Sequence, residues 1–145
     1  MPALPAVESM ITIENGVTHL HLKLEGEPVA QGRPRARLFR VLKKFKIVMY
    51  DPNKSYKEGL KKAVEKSLLE LGCAIPFFGD QKVHTKFIFK VTRDNKDIDN
   101  LQKLMLDVLS KFAFQDDINV VEMSAKKAIA DTGSVSVIIN TVNHN

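Results

Sequence analysis

Lys82-Val83-His84-Thr85-Lys86-Phe87-Ile88-Phe89-Lys90-Val91, followed after a short link by Asp97-Ile98-Asp99-Asn100-Leu101-Gln102-Lys103-Leu104-Met105-Leu106-Asp107-Val108-Leu109, decides the fold. In the first segment Val83, Thr85, Phe87, Phe89 and Val91 fall at every second position, the period of a strand with one buried face. In the second, Leu101, Leu104, Met105, Val108, Leu109 and Phe112 recur at helical spacing and predict a helix over residues 99–111 with one inward face. A strand therefore delivers the chain to an acidic helix.

Working outward, residues 17–24 alternate polar and apolar and predict another half-buried strand. Ser55, with Glu58 three residues later, forms a candidate capping box at the start of a second helix. Its inward positions are Leu60, Val64, Ser67, Leu68 and Leu71, and Gly72 is the natural stop. Two last strands are expected over residues 119–129 and 134–142, joined by a tight turn at Asp131-Thr132-Gly133. The order strand, helix, strand, helix, strand, strand predicts a single α+β domain: a mixed β-sheet with two principal helices packed on it. Residues 1–15 show no sustained period and are expected to be a flexible tail, with Met10 as a candidate start, ahead of a domain over residues 16–145.

The chain has 145 residues, 44% of them hydrophobic, enough for one compact core. A single Cys73 excludes an internal disulfide and a thiolate zinc cluster, and suits a reducing compartment. With no apolar run near the length of a membrane span, the expectation is a cytoplasmic protein without a membrane partner. There is no glycine-rich phosphate loop, hence no nucleotide cofactor, and no local Ser, His and Asp arrangement that argues for acyl transfer. His19 and His21 share a strand face, but without further His or Cys nearby they read as solvated bystanders.

Charge is unevenly distributed. Residues 31–66 carry twelve Lys and Arg against three acids, a balance of +9, whereas residues 94–117 carry six acids against three lysines, a balance of −3. A basic region joined to an acidic one suits a protein that grips a polyanion with one part and holds a metal with the other. Arg33, Arg35, Arg37, Arg40, Lys43, Lys44, Lys46, Lys57 and Lys61 are the candidate DNA-binding residues. The arginines offer planar forks for phosphate oxygens, and residues 39–49 could form either a basic hairpin or a loop that is mobile without DNA.

Asp99 and Lys103, four residues apart, can pair on one helix face, which would make them an ordinary surface pair. That does not account for Asp97, Asp116 and Asp117, because gathered carboxylates repel unless a proton, a basic group or a cation intervenes. Mg²⁺ takes oxygen ligands, commonly one or two carboxylates plus water and substrate phosphate oxygens. The motif reads as a phosphodiester site in which Lys103 would neutralise charge developing on the phosphate.

Gly26-x-Pro28 and Arg33-Pro34-Arg35, taken with Asp97-x-Asp99-Asn100-Leu101-x-Lys103, Asp107-Val108-Leu109 and Asp116-Asp117, resemble the RusA family of Holliday junction resolvases. The resemblance runs from about Leu20 to the final strands. It implies a homodimeric, Mg²⁺-dependent endonuclease, with Mn²⁺ able to substitute, of bacterial or prophage origin, cutting four-way DNA junctions by paired symmetrical nicks in recombination and repair. It also implies Asp97, Asp99 and Asp117 as the essential carboxylates and metal ligands, Lys103 as the essential lysine, and Asp116 as a further candidate ligand. Residues 110–115 are a residue shorter than is usual in the family and lack its customary glycine.

A helix rises about 1.5 Å per residue, so the chain travels roughly 16 Å from Asp99 to Ser110. Residues 111–117, if extended, return at most about 23 Å, so closure within one subunit is the favoured arrangement. Should Phe112 and Phe114 anchor the loop in the core instead, the second acid could come from a dimer partner. Two other readings stand beside the resolvase: a noncatalytic DNA-architectural or regulatory protein whose acids serve capping and surface pairing, and a nuclease for flaps or forks. The apolar residues 74–78 are either a candidate interface or a buried loop.

Overall fold

The computed structural model describes residues 5–142, the side chain of Val41 excepted. In chain order the elements are β1 (Val7–Glu14), β2 (Val17–Glu25), β3 (Arg35–Val41), β4 (Lys44–Tyr50), α1 (Lys54–Glu70), β5 (Val83–Val91), α2 (Ile98–Leu109), a 3-10 turn (Asp117–Asn119), β6 (Val120–Ile129) and β7 (Ser134–Thr141). Five strands form a sheet in the order β1-β2-β7-β5-β6, and β3 and β4 form a separate two-stranded ribbon. β5 and β6 run parallel, with α2 in the connection between them, while the other pairings are antiparallel. The expected α+β architecture, a mixed sheet with two helices, is present.

One layer of side chains builds the core. Leu20, Leu22 and Leu24 of β2, the alternating residues of β5, and Val135, Val137 and Ile139 of β7 are buried on one sheet face. Leu60, Val64 and Leu68 of α1 and Leu101, Leu104, Met105 and Val108 of α2 close over them. Each such side chain contributes about 1.5–3 kcal/mol through burial. Phe87 and Phe89 stack with ring centroids 5.5 Å apart at the centre. The Thr85 hydroxyl is buried there and has no hydrogen-bond partner among the described residues.

Several expectations need correction. Val7–Glu14 is an edge strand rather than a flexible tail, and residues 1–4 of that tail lie outside the described residues. Asn15 and Gly16, at φ 52° and 78°, make the two-residue turn that pairs Glu14 with Val17. Asn-Gly is the pair such a turn favours, because both central residues need positive φ. Ser9 then anchors β1 on α1, its Oγ 2.6 Å from the Ser67 Oγ. Met10 lies inside this strand, opposite His21.

β6 and β7 are not a hairpin, because β5 separates them. Residues 130–133 carry the chain across the end of β5, where the Ala130 N–H donates to the Val91 carbonyl (2.9 Å). Gly133 is required by close approach instead of by a tight turn: a Cβ there would lie 2.5 Å from the Glu27 Cα. The N-cap of α1 is Asn53, two residues before the expected Ser55, and its side chain makes no capping bond. Leu71 is 41% exposed, not inward. Residues 74–78 pack inward: the Phe77 and Phe78 N–H groups donate to the Phe112 and Ala113 carbonyls (both 2.9 Å), and Phe78 joins the core.

Candidate active site

Two clasps fix the loops around α2. The Glu27 carboxylate accepts the Thr92 N–H (3.0 Å), Lys96 donates to the Pro28 carbonyl (2.6 Å), and Lys127 donates to the Lys96 carbonyl (2.7 Å). These contacts hold the segment that ends at Asp97. On the other side, the Gln31 N–H donates to the Asn100 carbonyl (2.9 Å) and the Gly32 N–H to Asn53 Oδ1 (2.6 Å). Gly32 passes so close to the start of α1 that a Cβ would fall 2.9 Å from Pro52 Cγ. Arg33 therefore stands beside α2, and between them opens a cleft of about 770 Å³ whose lining includes Arg33, Asp51, Asn100, Lys103, Asp107 and Asp117.

The cleft is electrostatically ordered from below. Lys57 is 8% exposed, and its ammonium bridges Asp51 and Asp107, reaching Asp107 Oδ2 at 2.5 Å. The Lys57 hydrogen bond, with help from the Asn53 N–H, holds the Asp51 carboxyl down at about 2. Burial works against the Lys57 charge, but Asp107 and Asp51 more than offset it and the ammonium is held above its ordinary value. Across the cleft, Asp117 is pushed up, first by partial burial and then by the charges of Asp116 and Asp107. Asp107 and Asp117 thus face each other as like charges, the juxtaposition that a cation relieves. Two carboxylates beside open space also match the way Mg²⁺ binds alongside phosphate oxygens.

The remaining acids stand elsewhere. Asp97 is the N-cap of α2 but makes no side-chain capping bond, Asp99 sits in its first turn, and both are exposed. Neither lines the cleft, and neither is among the charges acting on Asp117. Eight residues of helix separate Asp99 from Asp107, about 12 Å of rise. Among the described residues no three acids, histidines or cysteines are gathered as a metal site. Closure by an extended return within one chain is therefore not what forms.

The reason lies in residues 110–114. Lys111 takes φ 74°, a left-handed position suited to glycine, and its N–H donates to the Phe114 carbonyl (2.7 Å). Ala113 and Phe114 are fully buried. The loop is anchored at the carboxyl end of α2, which leaves Asp116 and Asp117 beside Asp107. Asn119 then fixes the acidic pair, accepting the Asp116 N–H (2.9 Å) and donating to the Asp80 carbonyl (2.9 Å).

The basic residues divide sharply. Arg33, Arg35, Arg37, Arg40, Lys43, Lys44 and Lys46 are exposed on the loop and ribbon above the cleft, and Lys61 is half-buried on α1. Lys57 faces the acids instead of solvent, so it orders the cleft where a phosphate contact was expected. Arg37 lies over the rings of Phe39 and Tyr50, 5.9 and 5.4 Å from their centroids. Sequence reasoning passed over Lys57 and Asp107 as cleft partners. A signal was available for Asp107 alone, in Asp99, Lys103 and Asp107 repeating every four residues along one helix stripe.

An acid-and-lysine cleft below a basic ribbon, on a mixed α+β sheet, is the make-up of a protein that handles nucleic-acid phosphates. The family comparison narrows this. The model described as Endodeoxyribonuclease RusA matches residues 25–140, and the chain belongs to that family. The chain is also similar to the uncharacterized protein YqaN of Bacillus subtilis (strain 168), with 29% identity over 135 residues covering 81% of this chain and 92% of that protein. No helix among the described residues is long and apolar enough to cross a membrane.

Proposed function

We propose that the protein is a Mg²⁺-dependent, structure-selective endodeoxyribonuclease that resolves four-way DNA junctions by paired nicks, acting as a homodimer in recombination and repair. The observation that carries this is the facing pair Asp107 and Asp117 with Lys103 and Arg33 on one cleft, in a chain of the RusA family. Mg²⁺, or Mn²⁺ in its place, would be held by Asp117 and Asp107 on one subunit, with Asp116 beside them. Asp97 and Asp99, which do not line that cleft, would approach it from the partner of a two-fold dimer. The bound metal would supply Lewis-acid chemistry to the phosphodiester. Lys103 would balance negative charge growing on the phosphate, Arg33 would orient its free oxygens, and Lys57 would aim the Asp107 carboxylate.

The exposed arginines and lysines of the ribbon would bind backbone phosphates, giving affinity with a steep salt dependence and little base reading. Two equivalent clefts suit a junction with two equivalent strands to cut. The test is a metal titration of cleavage on labelled four-way junction, flap, fork and linear duplex. Symmetrical nicks on the junction that appear only with Mg²⁺ or Mn²⁺ support the reading. Tight binding with no metal-dependent product would make this a noncatalytic architectural protein, and faster cutting of flaps or forks would reassign its substrate.

A further inference from the structure

The tip of the β3–β4 ribbon breaks two rules at once. Leu42 and Lys43 form its two-residue turn, between the paired Val41 and Lys44, with φ of 49° and 67°. Such a turn favours Asn and Gly, yet a leucine occupies it and is 92% exposed. Rules of this kind are broken most often where function requires it. The rest of the ribbon supplies the context. Residues 35–50 contain six Arg and Lys and no acid. Arg35, Arg37 and Lys46 share one face, while Leu38, Ile47, Phe45 and Met49 lie on the other, exposed by 61%, 68%, 68% and 62%. The ribbon is rooted at the cleft through Met49 and Tyr50.

We infer that the ribbon is a DNA arm whose Leu42 enters between adjacent base pairs as a wedge, while the surrounding arginines and lysines hold the phosphates on either side. This rests on the DNA reading above. Charge selects the partner: an apolar surface framed by six cations and no anion is complementary to a polyanion that also offers flat apolar faces, the stacked bases. Apolar wedges, leucine among them, unstack base steps and bend the duplex in this manner. Seven residues of strand reach roughly 23 Å from the cleft, so the opened step lies about seven base pairs from the scissile phosphate.

The experiment uses the full-length protein without divalent metal and four-way junctions carrying 2-aminopurine at successive positions along one arm. Wild-type protein is expected to brighten the probe severalfold at one step near the seventh base pair. Leu42→Asn suits the left-handed turn and should fold at least as well. It should abolish the brightening and weaken junction binding about tenfold, the scale of a lost base-stacking contact, with an unchanged salt slope. Leu42→Phe should keep both. The inference is overturned if no position brightens, if Leu42→Asn behaves as wild type, or if its only effect is to change self-association in sedimentation. Neither readout needs cleavage, so brightening by a protein that cuts nothing would keep the wedge while the nuclease reading fails.

Discussion

Two hairpins in this chain share a turn geometry and almost nothing else. β1–β2 turns through Asn15-Gly16 and β3–β4 through Leu42-Lys43, both with positive φ at the two central positions. The first lies in the sheet, and its second strand places Leu20, Leu22 and Leu24 in the core. The second stands off the core, with every side chain of β4 exposed. An isolated two-stranded ribbon is marginal in water. Its retention of Leu38, Phe45 and Ile47 in solvent is therefore best understood through what it touches, whereas the first hairpin is explained by what it buries.

The largest expected contrast is between equivalent apolar truncations. Leu22→Ala in the first hairpin should cost about 2–5 kcal/mol in chemical denaturation, through lost burial and the cavity left behind. Ile47→Ala in the second should stay within about 0.5 kcal/mol while weakening junction binding, the behaviour of an exposed residue. Equal stability losses would break the comparison.

Next comes the coupling between the ribbon's root and α2. Lys57→Met leaves Asp51 and Asp107 without their cation and should destabilise by about 1–3 kcal/mol, given their partial exposure. Asp51 has a folded pKa of about 2, below the ordinary 3.8, so protonation favours the unfolded chain. Its contribution is complete above about pH 4 and is lost as pH falls toward 2. The stability gap between wild type and Lys57→Met should therefore close over that range in denaturation measured at successive pH values. A gap that stays constant would show that Lys57 acts by packing alone.

The smallest effect belongs to the strand between the hairpin's partner β7 and β6. Thr85→Val removes a buried hydroxyl without a partner and should stabilise by about 1 kcal/mol in thermal unfolding. Destabilisation would mean that the hydroxyl is satisfied in solution.

Much of the sheet was legible because its signal is local. The alternation of Val83 to Val91 and the helical spacing of Leu101 to Leu109 each lie within one element. β1 was also legible in principle, since Asn15-Gly16 between alternating segments marks a hairpin, but the apolar period before it is weak. The insertion of β7 between β2 and β5 was not legible: Gly133 looks like a turn residue, and only the approach of Glu27 shows its other reason. The site divides in the same way. Lys103, Asp116 and Asp117 could be singled out by type and spacing. Lys57 meets Asp107 across fifty residues, and no local pattern announces that pairing. The anchoring of Ala113 and Phe114 placed Asp117 at the far end of α2 from Asp99, which chain length alone left open.

That placement gives the account its sharpest exposure. Asp99→Asn and Asp117→Asn subunits should each fold, bind junction and fail to nick it with Mg²⁺. Mixed in equal amounts and allowed to exchange, they should recover roughly a quarter of the wild-type nicking rate, the share of intact sites from random pairing of symmetric dimers. A mixture as inactive as its components, or either variant nicking at the wild-type rate by itself, would contradict a cleft completed by acids from two subunits.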